Sequence, residues 1–315
     1  MGPTELQRSV NILLADDGSE HAHAAIELVR HLPLSSESLV TALGVLLPLN
    51  SSNHAVLTAV LEQTKFLFEE KGIPANTELI LGYPQEILIN YSKKNKPDLI
   101  VVGAKGLRAT LGILLGGVAQ HMVEYACCPV LVVRAPYTGL RRIAIVTDGS
   151  IYSQKAVEYI SGQPDLEGDS QCQNFPLPPN VEIWVAHVLP PLPSPEMIAS
   201  SWPLGPEMLP SYTPDPEAET EWLSKEKPRG QAVIDRSLER LSSCGIEARG
   251  ELLWGDAATE IIEFAKGNHI DVIVAGSRGL NQIRGWLLGS VSRKLVHYAD
   301  CSVLIVKGEH ESVGG

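Results

Sequence analysis

Two copies of one pattern, 173 residues apart, constrain this chain more than any other feature. Near the N-terminus the offset is smaller, because Asp17 matches Asp148 at 131 residues and Val45 matches Val188 at 143. At the spacing of 173 the matching glycines are Gly72, Gly82, Gly103, Gly106 and Gly116 with Gly245, Gly255, Gly276, Gly279 and Gly289. A chain of 315 residues that repeats itself once predicts two similar domains, each with its own core.

Apolar segments alternate with helical patterns five times in each copy. We predict strands at residues 10–16, 38–46, 76–81, 98–103 and 129–134, and then at 142–147, 181–189, 247–253, 270–276 and 302–306. This alternation predicts an α/β fold with two tandem, open, five-stranded parallel sheets and helices on both faces. The short link Pro136–Leu140 places the predicted domains at 1–137 and 138–315.

A glycine loop follows the fourth predicted strand of each copy. In the second copy Gly276, Arg278 and Gly279 lead to Gly289 and Ser290, where a helix begins. Glycine lets the backbone approach a ligand closely, and the N-terminus of a helix favours negative charge. The second copy therefore predicts a phosphate site, with the hydroxyls of Ser290 and Ser292 as added donors.

The first copy departs from this loop at two positions. Gly117 stands where the second copy has Ser290, and Ala119 stands where it has Ser292. A hydrogen bond to a charged group contributes about 1.5–3 kcal/mol, so losing both hydroxyls predicts phosphate binding weaker by about 10²-fold or more. Lys105 could supply positive charge there, as Arg278 could in the second copy.

A proline-rich insert of the second copy covers residues 190–221. Ten prolines lie between Pro190 and Pro228, a density that predicts an extended or irregular loop and excludes a regular helix. Two interpretations remain open. The insert is either a solvated surface loop, or a lid or docking segment that uses Trp202, Tyr212 and Trp222.

Charge and hydropathy exclude several classes of partner. The net charge is −12 and the chain contains no dense run of Lys and Arg, so we expect no nucleic-acid binding. No apolar run reaches the roughly 18 residues needed to span a bilayer, and no leader segment is apparent. We expect a cytoplasmic location.

These motifs resemble those of the universal stress protein family in tandem form. The resemblance rests on the Asp-Gly-Ser after each first strand, on the G-x2-G-x9-G loops, and on last strands such as Cys301–Val306. It implies sheet order 3-2-1-4-5, with adenine between strands 1 and 2 and phosphates at the glycine loop. The implied nucleotide residues are Thr147, Asp148, Val188, Ala275, Gly276, Arg278, Gly279, Gly289, Ser290, Val291 and Ser292. The weaker candidates of the first copy are Asp17, Val45, Gly103, Gly106, Gly116 and Gly117.

The resemblance also implies ATP as the ligand, with ADP or AMP as alternatives, and Mg²⁺ held through the phosphates without side-chain ligands. We expect a nucleotide-dependent stress or signalling module with no assigned catalytic residue, because no kinase or Walker motif is present. A slow ATPase and a scaffold without nucleotide remain alternatives.

Several expectations concern assembly and single residues. The halves are expected to form a pseudo-dimer through their last strands, with a homodimer and an unidentified protein partner as further expectations. Asp17 and Asp148 could instead cap the helices that follow them. His187 is expected to be a packed strand residue.

Overall fold

Ten strands and the helices between them follow the predicted alternation in the computed structural model, which describes residues 9–48, 54–107, 114–162, 175–191, 216–279 and 288–307. The first half contains β1 Asn11–Ala15, α1 Glu20–His31, β2 Leu39–Leu46, α2 His54–Glu70, β3 Ala75–Leu81, α3 Pro84–Asn95, β4 Leu99–Gly103, α4 Gly117–Tyr125 and β5 Val130–Val133. The second half contains β6 Arg142–Val146, α5 Ile151–Ser161, β7 Glu182–Leu189, α6 Pro216–Ser243, β8 Ala248–Trp254, α7 Ala257–Gly267, β9 Val272–Gly276, α8 Ser290–Tyr298 and β10 Ser302–Val306.

The strands form a single sheet of order β3-β2-β1-β4-β5-β10-β9-β6-β7-β8. Each half therefore has the order 3-2-1-4-5 with parallel pairing, which confirms the predicted fold class and strand order. The two five-stranded sheets are joined edge to edge, because β5 pairs with β10 in antiparallel register. Val132 lies opposite Val303, and Leu131 lies opposite Leu304.

The antiparallel seam fixes where the two glycine loops lie. Strands of the first half run opposite to those of the second half. The carboxyl ends of parallel strands share one edge of a sheet, so the loop after β4 and the loop after β9 lie at opposite edges. Ligands held at the two loops would therefore lie at opposite ends of the strands.

Two apolar layers cover the sheet, and both cross the seam. One layer contains buried residues of α1, α2, α5 and α6, together with Leu131 and Leu304. The other contains buried residues of α3, α4, α7 and α8, together with Val132 and Val303. Burial of apolar surface contributes about 25 cal/mol per Å², so the continuous layers stabilise the two halves as one unit.

Helix α6 contradicts part of the prediction for the insert. It begins at Pro216 and continues through Pro228, so the insert ends in a regular helix. Proline is tolerated at the first helical position, where no donor is needed, and the helix is held against the sheet by the buried side chains of Ile234 and Leu241. Trp222 packs on Trp254 at 5.2 Å between ring centroids. Trp202 and Tyr212, which the lid hypothesis uses, lie outside the described residues.

Candidate functional site

The turn after the first strand of each half is built by an aspartate and a serine. Ser150 caps α5 by accepting a hydrogen bond from the N–H of Ser153, and Ser19 caps α1 in the same way from Ala22. The expectation that Asp17 and Asp148 cap these helices is therefore wrong. Each carboxylate instead accepts the N–H of the capping serine at 3.0 Å and so stabilises the turn before the helix begins.

These aspartates also reach the glycine loops. We define the first glycine loop as residues 103–107 with 114–117, and the second as residues 276–279 with 288–290. Asp17 Oδ2 accepts the N–H of Leu107 in the first loop at 3.0 Å. A Cβ at Gly106 would lie 2.6 Å from Asp17 Oδ2, and a Cβ at Gly279 would lie 2.5 Å from Asp148 Oδ2. The second glycine of each motif therefore leaves room for the aspartate carboxylate to fit against the loop.

The first glycine of each loop is also explained by a close contact within the protein. A Cβ at Gly276 would lie 2.5 Å from the carbonyl oxygen of Tyr152, in the first turn of α5. A Cβ at Gly103 would lie 2.8 Å from the carbonyl carbon of His21, in the first turn of α1. The glycine spacing thus allows close packing of strand and helix in both halves, and it does not by itself distinguish a half that binds a ligand.

The helix after each glycine loop begins without a side-chain cap among the described residues. Gly289 is the N-cap of α8, and its N–H closes the second loop by donating to the carbonyl of Ser277 at 2.8 Å. Gly116 is the N-cap of α4, and its N–H donates to Ala104 at 2.7 Å. The first N–H groups of such a helix have no intrahelical acceptor and can bind an anion. Ser290, the first residue of α8, is exposed beside them.

Ser292 changes the comparison of the two loops. Its hydroxyl is buried and donates to the carbonyl of Gly276 at 2.7 Å, inside the protein. The prediction that Ser290 and Ser292 both donate to phosphate is therefore wrong for Ser292. Ala119 occupies the equivalent buried position in the first half. Of the two hydroxyl differences between the halves, only Ser290 against Gly117 then remains on the ligand side.

Arg278 places positive charge at the second loop. Its guanidinium lies 5.6 Å from the centre of the Tyr152 ring, and Nη1 lies 3.5 Å from the Tyr152 hydroxyl oxygen. Stacking on an aromatic ring restricts an arginine side chain while leaving its charge intact. The second loop therefore carries a cation, and a Cβ at Gly289, the N-cap of α8, would lie 3.3 Å from the Cα of this arginine.

Val188 of the predicted adenine side lies on the same face of the sheet as α8. It is partly buried and packs on the core layer that contains Ala275, as Val291 also does, and Ala275 and Val291 belong to the predicted ribose and phosphate side. Thr147 is buried, and its carbonyl lies 2.7 Å from Nδ1 of His187, which supports the expected packing role of this histidine. Thr147 follows β6, Val188 lies in β7 and Ala275 lies in β9, so these residues share one edge of the sheet. Their role in binding a nucleotide stays a prediction.

A buried carboxylate in the first half was missed by sequence reasoning. Asp16 accepts hydrogen bonds from the hydroxyl of Thr64 at 2.7 Å and from the N–H of Gly18 at 3.0 Å, and burial raises the pKa of this carboxyl. It lines a pocket of about 170 Å³ between α1 and α2, together with His23 and Gln63. The second half has Thr147 at this position, and that mismatch in the repeat is the signal that could have singled out Asp16.

Comparisons with known proteins agree with the fold and with the repeat. A sequence model of the universal stress protein family matches residues 10–134 and again residues 139–307. A universal stress protein of Mycolicibacterium smegmatis is 23% identical over an alignment of 322 positions, which covers 94% of this chain and 96% of that protein. The solved structure of a universal stress protein from Archaeoglobus fulgidus has a TM-score of 0.64 and 18% identity, covering 97% of this chain and 98% of that one.

Shorter relatives match about a quarter of the chain. A universal stress protein of Methanocaldococcus jannaschii is 41% identical over 76 residues, which is 24% of this chain and 45% of that protein. Another from Bacillus subtilis is 35% identical over 81 residues, or 55% of its length. The chain thus spans about half of the length of these two relatives. Because the family model covers nearly the whole chain in two successive matches, this protein belongs to the universal stress protein family and carries its domain twice.

Proposed function

We propose that the second half binds ATP and that the protein acts as a nucleotide-dependent stress or signalling module. The observation that carries this proposal is the start of α8, where Gly289 offers no side-chain cap within the described chain and Ser290 is exposed. Arg278 adds a positive charge to the same loop, and its Cα lies against Gly289. An anionic phosphate would meet N–H donors, a hydroxyl and a cation at this one place.

The residues present fit a nucleotide held by its phosphates. Thr147, Asp148 and Val188 would line the base, and Ala275 with the second glycine loop would hold ribose and phosphates. Among the described residues no group of three His, Cys, Asp or Glu side chains could hold a metal ion. In this proposal Mg²⁺ is bound through the phosphates, where it supplies charge neutralisation.

The alternatives are an ATPase and a scaffold that binds no nucleotide. Asp148 lies near the second loop, but its carboxylate accepts the N–H of Ser150, which supports a positioning role over activation of water. A single-turnover measurement of ATP hydrolysis by the purified protein distinguishes an ATPase from a binding module, because enzymes typically turn over at about 1 s⁻¹ or faster.

The proposed assembly is a pseudo-dimer of the two halves within one chain. Pairing of β5 with β10 supports it, and a homodimer or a protein partner would be a further level of assembly. The boundary between residues 137 and 138 and the cytoplasmic location stay predictions. No helix in the described parts of the chain has the length and apolar character needed to cross a membrane.

Titration calorimetry with ATP tests the binding proposal. We expect one site per chain, and we expect Ser290→Ala to weaken ATP binding about tenfold through loss of one hydrogen bond to charge. Arg278→Met should weaken it at least as much. Lys105→Met, at the equivalent place in the first loop, is the matched control and should leave the affinity unchanged.

Two outcomes would contradict this assignment. ATP binding that is unaffected by both Ser290→Ala and Arg278→Met would remove the second loop as the site. A stoichiometry of two would show that the first loop binds nucleotide despite Gly117.

A further inference from the structure

Two cations lie at the seam where β5 meets β10. Arg134 directly follows β5 and Lys307 directly follows β10, and the two residues are 173 apart, the spacing that relates the two halves. Both side chains are half-buried. Cations in such places need partners, since burying a charge without compensation is unfavourable.

Arg134 finds its partners in both halves. Nη2 donates to the carbonyls of Val296 at 2.8 Å and His297 at 3.0 Å, in the last turn of α8. Nη1 donates to the carbonyl of Leu114 at 3.0 Å, in the first glycine loop. The last carbonyls of a helix have no intrahelical donor, so Arg134 acts as a C-terminal cap for α8 while it also holds the first loop.

Lys307 makes the reciprocal contacts. Its ammonium donates to the carbonyl of Val123 and to that of Glu124 at 3.4 Å, in the last turn of α4. These carbonyls are the counterparts of those that Arg134 binds, because Val123 matches Val296 and Glu124 matches His297 at the spacing of 173. Each half thus caps the helix that follows the glycine loop of the other half.

Helices α4 and α8 each run from the edge of the sheet that carries one glycine loop to the edge that carries the other. Helix α8 starts at the second glycine loop and ends at Arg134 beside the first loop, and α4 runs the opposite way. Nine helical residues span about 13 Å, so each helix is a short, stiff rod between the edges. Burial, together with a smaller effect of the positive charge of Arg278 in the second loop, lowers the pKa of Lys307 to about 8. The residue before Lys307 is joined to that loop, because the carbonyl of Val306 accepts the N–H of Ser277 at 2.9 Å.

We propose that Arg134 and Lys307 are positioning residues that couple the two glycine loops through reciprocal caps on α4 and α8. This coupling rests on the proposed nucleotide site of the second half. A phosphate bound beside Arg278 offsets the repulsion between Arg278 and Lys307, so Lys307 holds the end of α4 more firmly. The first loop, which precedes α4, is then more ordered when the second loop is occupied.

Hydrogen exchange measured by mass spectrometry on the full chain without nucleotide tests the caps. Lys307→Met should speed amide exchange in the last turn of α4 roughly ten- to hundred-fold and leave the last turn of α8 unchanged. Arg134→Met should speed exchange in the last turn of α8 and leave the last turn of α4 unchanged. Lys307→Arg is the matched control and should keep the protection, because Arg134 makes the same kind of contact in the related position.

A second arm adds ATP while calorimetry reports its binding. In the unaltered protein the last turn of α4 should exchange roughly fivefold more slowly with ATP bound, and Lys307→Met should abolish that change without preventing binding. Equal exchange in Lys307→Met and Lys307→Arg, or equal loosening of both helices in Lys307→Met, would overturn the caps. ATP that binds without any change in α4 would overturn the coupling.

The two proposals fail in distinguishable ways. If the unaltered protein binds no ATP, the proposed function and the nucleotide response are both overturned. The exchange pattern without nucleotide then still decides whether each half caps the helix of the other.

Discussion

The two glycine loops have the same backbone contacts and different side chains. Gly276 and Gly103 each let a helix start pack against a strand end, and Gly279 and Gly106 each make room for an aspartate. The halves differ where a ligand would be held, with exposed Ser290 in one and Gly117 in the other. The glycine signature therefore specifies the turn, and the polar side chains beside it specify what the turn can bind.

A second difference lies beneath the loops, where β2 packs on α2 and β7 packs on α6. The first half has Gly44 in the strand and Leu57 in the helix. The second half has His187 in the strand and Gly230 in the helix, and a Cβ at Gly230 would lie 3.0 Å from His187 Cδ2. Large and small residues have exchanged places between the two halves, so each interface keeps its total volume by a different choice.

The largest expected effect comes from Gly276→Ala. The added methyl would meet backbone atoms of Tyr152 at 2.5 and 2.6 Å, which cannot move without shifting α5. We expect a loss of about 3 kcal/mol in the free energy of unfolding, measured by urea denaturation without nucleotide. Gly103→Ala should cost a similar amount, because the same contact occurs in the first half.

Gly267→Ala is the control for this pair. A Cβ there meets nothing within 4 Å, so stability should be unchanged or slightly higher. If Gly276→Ala left stability unchanged and reduced only nucleotide binding, the structural explanation of the shared glycines would be wrong.

A smaller effect is expected from exchanging the large and small residues. Gly230→Leu would crowd the side chains of Leu189, Leu252 and His187, which lie within 3.0 Å of the new Cβ. We expect a loss of about 2 kcal/mol, since displaced side chains adapt better than backbone and glycine itself is unfavourable in a helix.

The double variant Gly230→Leu with His187→Gly should recover part of this loss and reproduce the arrangement of the first half. The expected coupling energy in a double-mutant cycle is about 1 kcal/mol or more. Recovery should be incomplete, because His187 also contacts the carbonyl of Thr147 at 2.7 Å. Strictly additive effects would contradict the proposed exchange of volume.

The smallest effect is a difference in pH dependence between the halves. Burial raises the pKa of Asp16 above its ordinary value of 3.8 and outweighs the hydrogen bonds from Thr64 and Gly18, which lower it; the smaller effects of Asp17 and His23 raise and lower it respectively. The folded protein then binds more protons than the unfolded chain between 3.8 and the raised pKa, so stability falls as pH rises through that window. Asp16→Asn should remove this fall, as followed by urea unfolding between about pH 4 and pH 7.

Asp256 in the second half gives the opposite sign. Hydrogen bonds from Thr259, with help from Lys294, lower the pKa of this exposed carboxyl. Its contribution is present above the ordinary value and is lost as pH falls through the lowered pKa. Asp256→Asn should therefore reduce stability most near neutral pH. If Asp16→Asn and Asp256→Asn changed the pH dependence of stability in the same direction, the assignment of a raised pKa to the buried Asp16 would be wrong.

The strands and the order of each half were predictable because they depend on local pattern and on general rules of chain connection. Short apolar runs separated by helical periodicity predicted the strand bounds to within about two residues. The part of helix α6 from Pro216 to Pro228 was not predictable from the proline content, because the helix depends on Ile234 and Leu241, which are buried only once it lies on the sheet. Tertiary packing overrides a weak local preference there.

The sequence by itself determined the repeat, the family, the two glycine loops and the presence of Gly117 where the second half has Ser290. Only the tertiary structure decided the direction of hydrogen bonds between distant parts of the chain. Ser292 donates to Gly276, Asp16 is buried beside Thr64, and Arg134 reaches the end of α8 in the other half. The physical reason is that residue type fixes which groups can donate or accept, whereas burial and the antiparallel seam decide which partners come within reach.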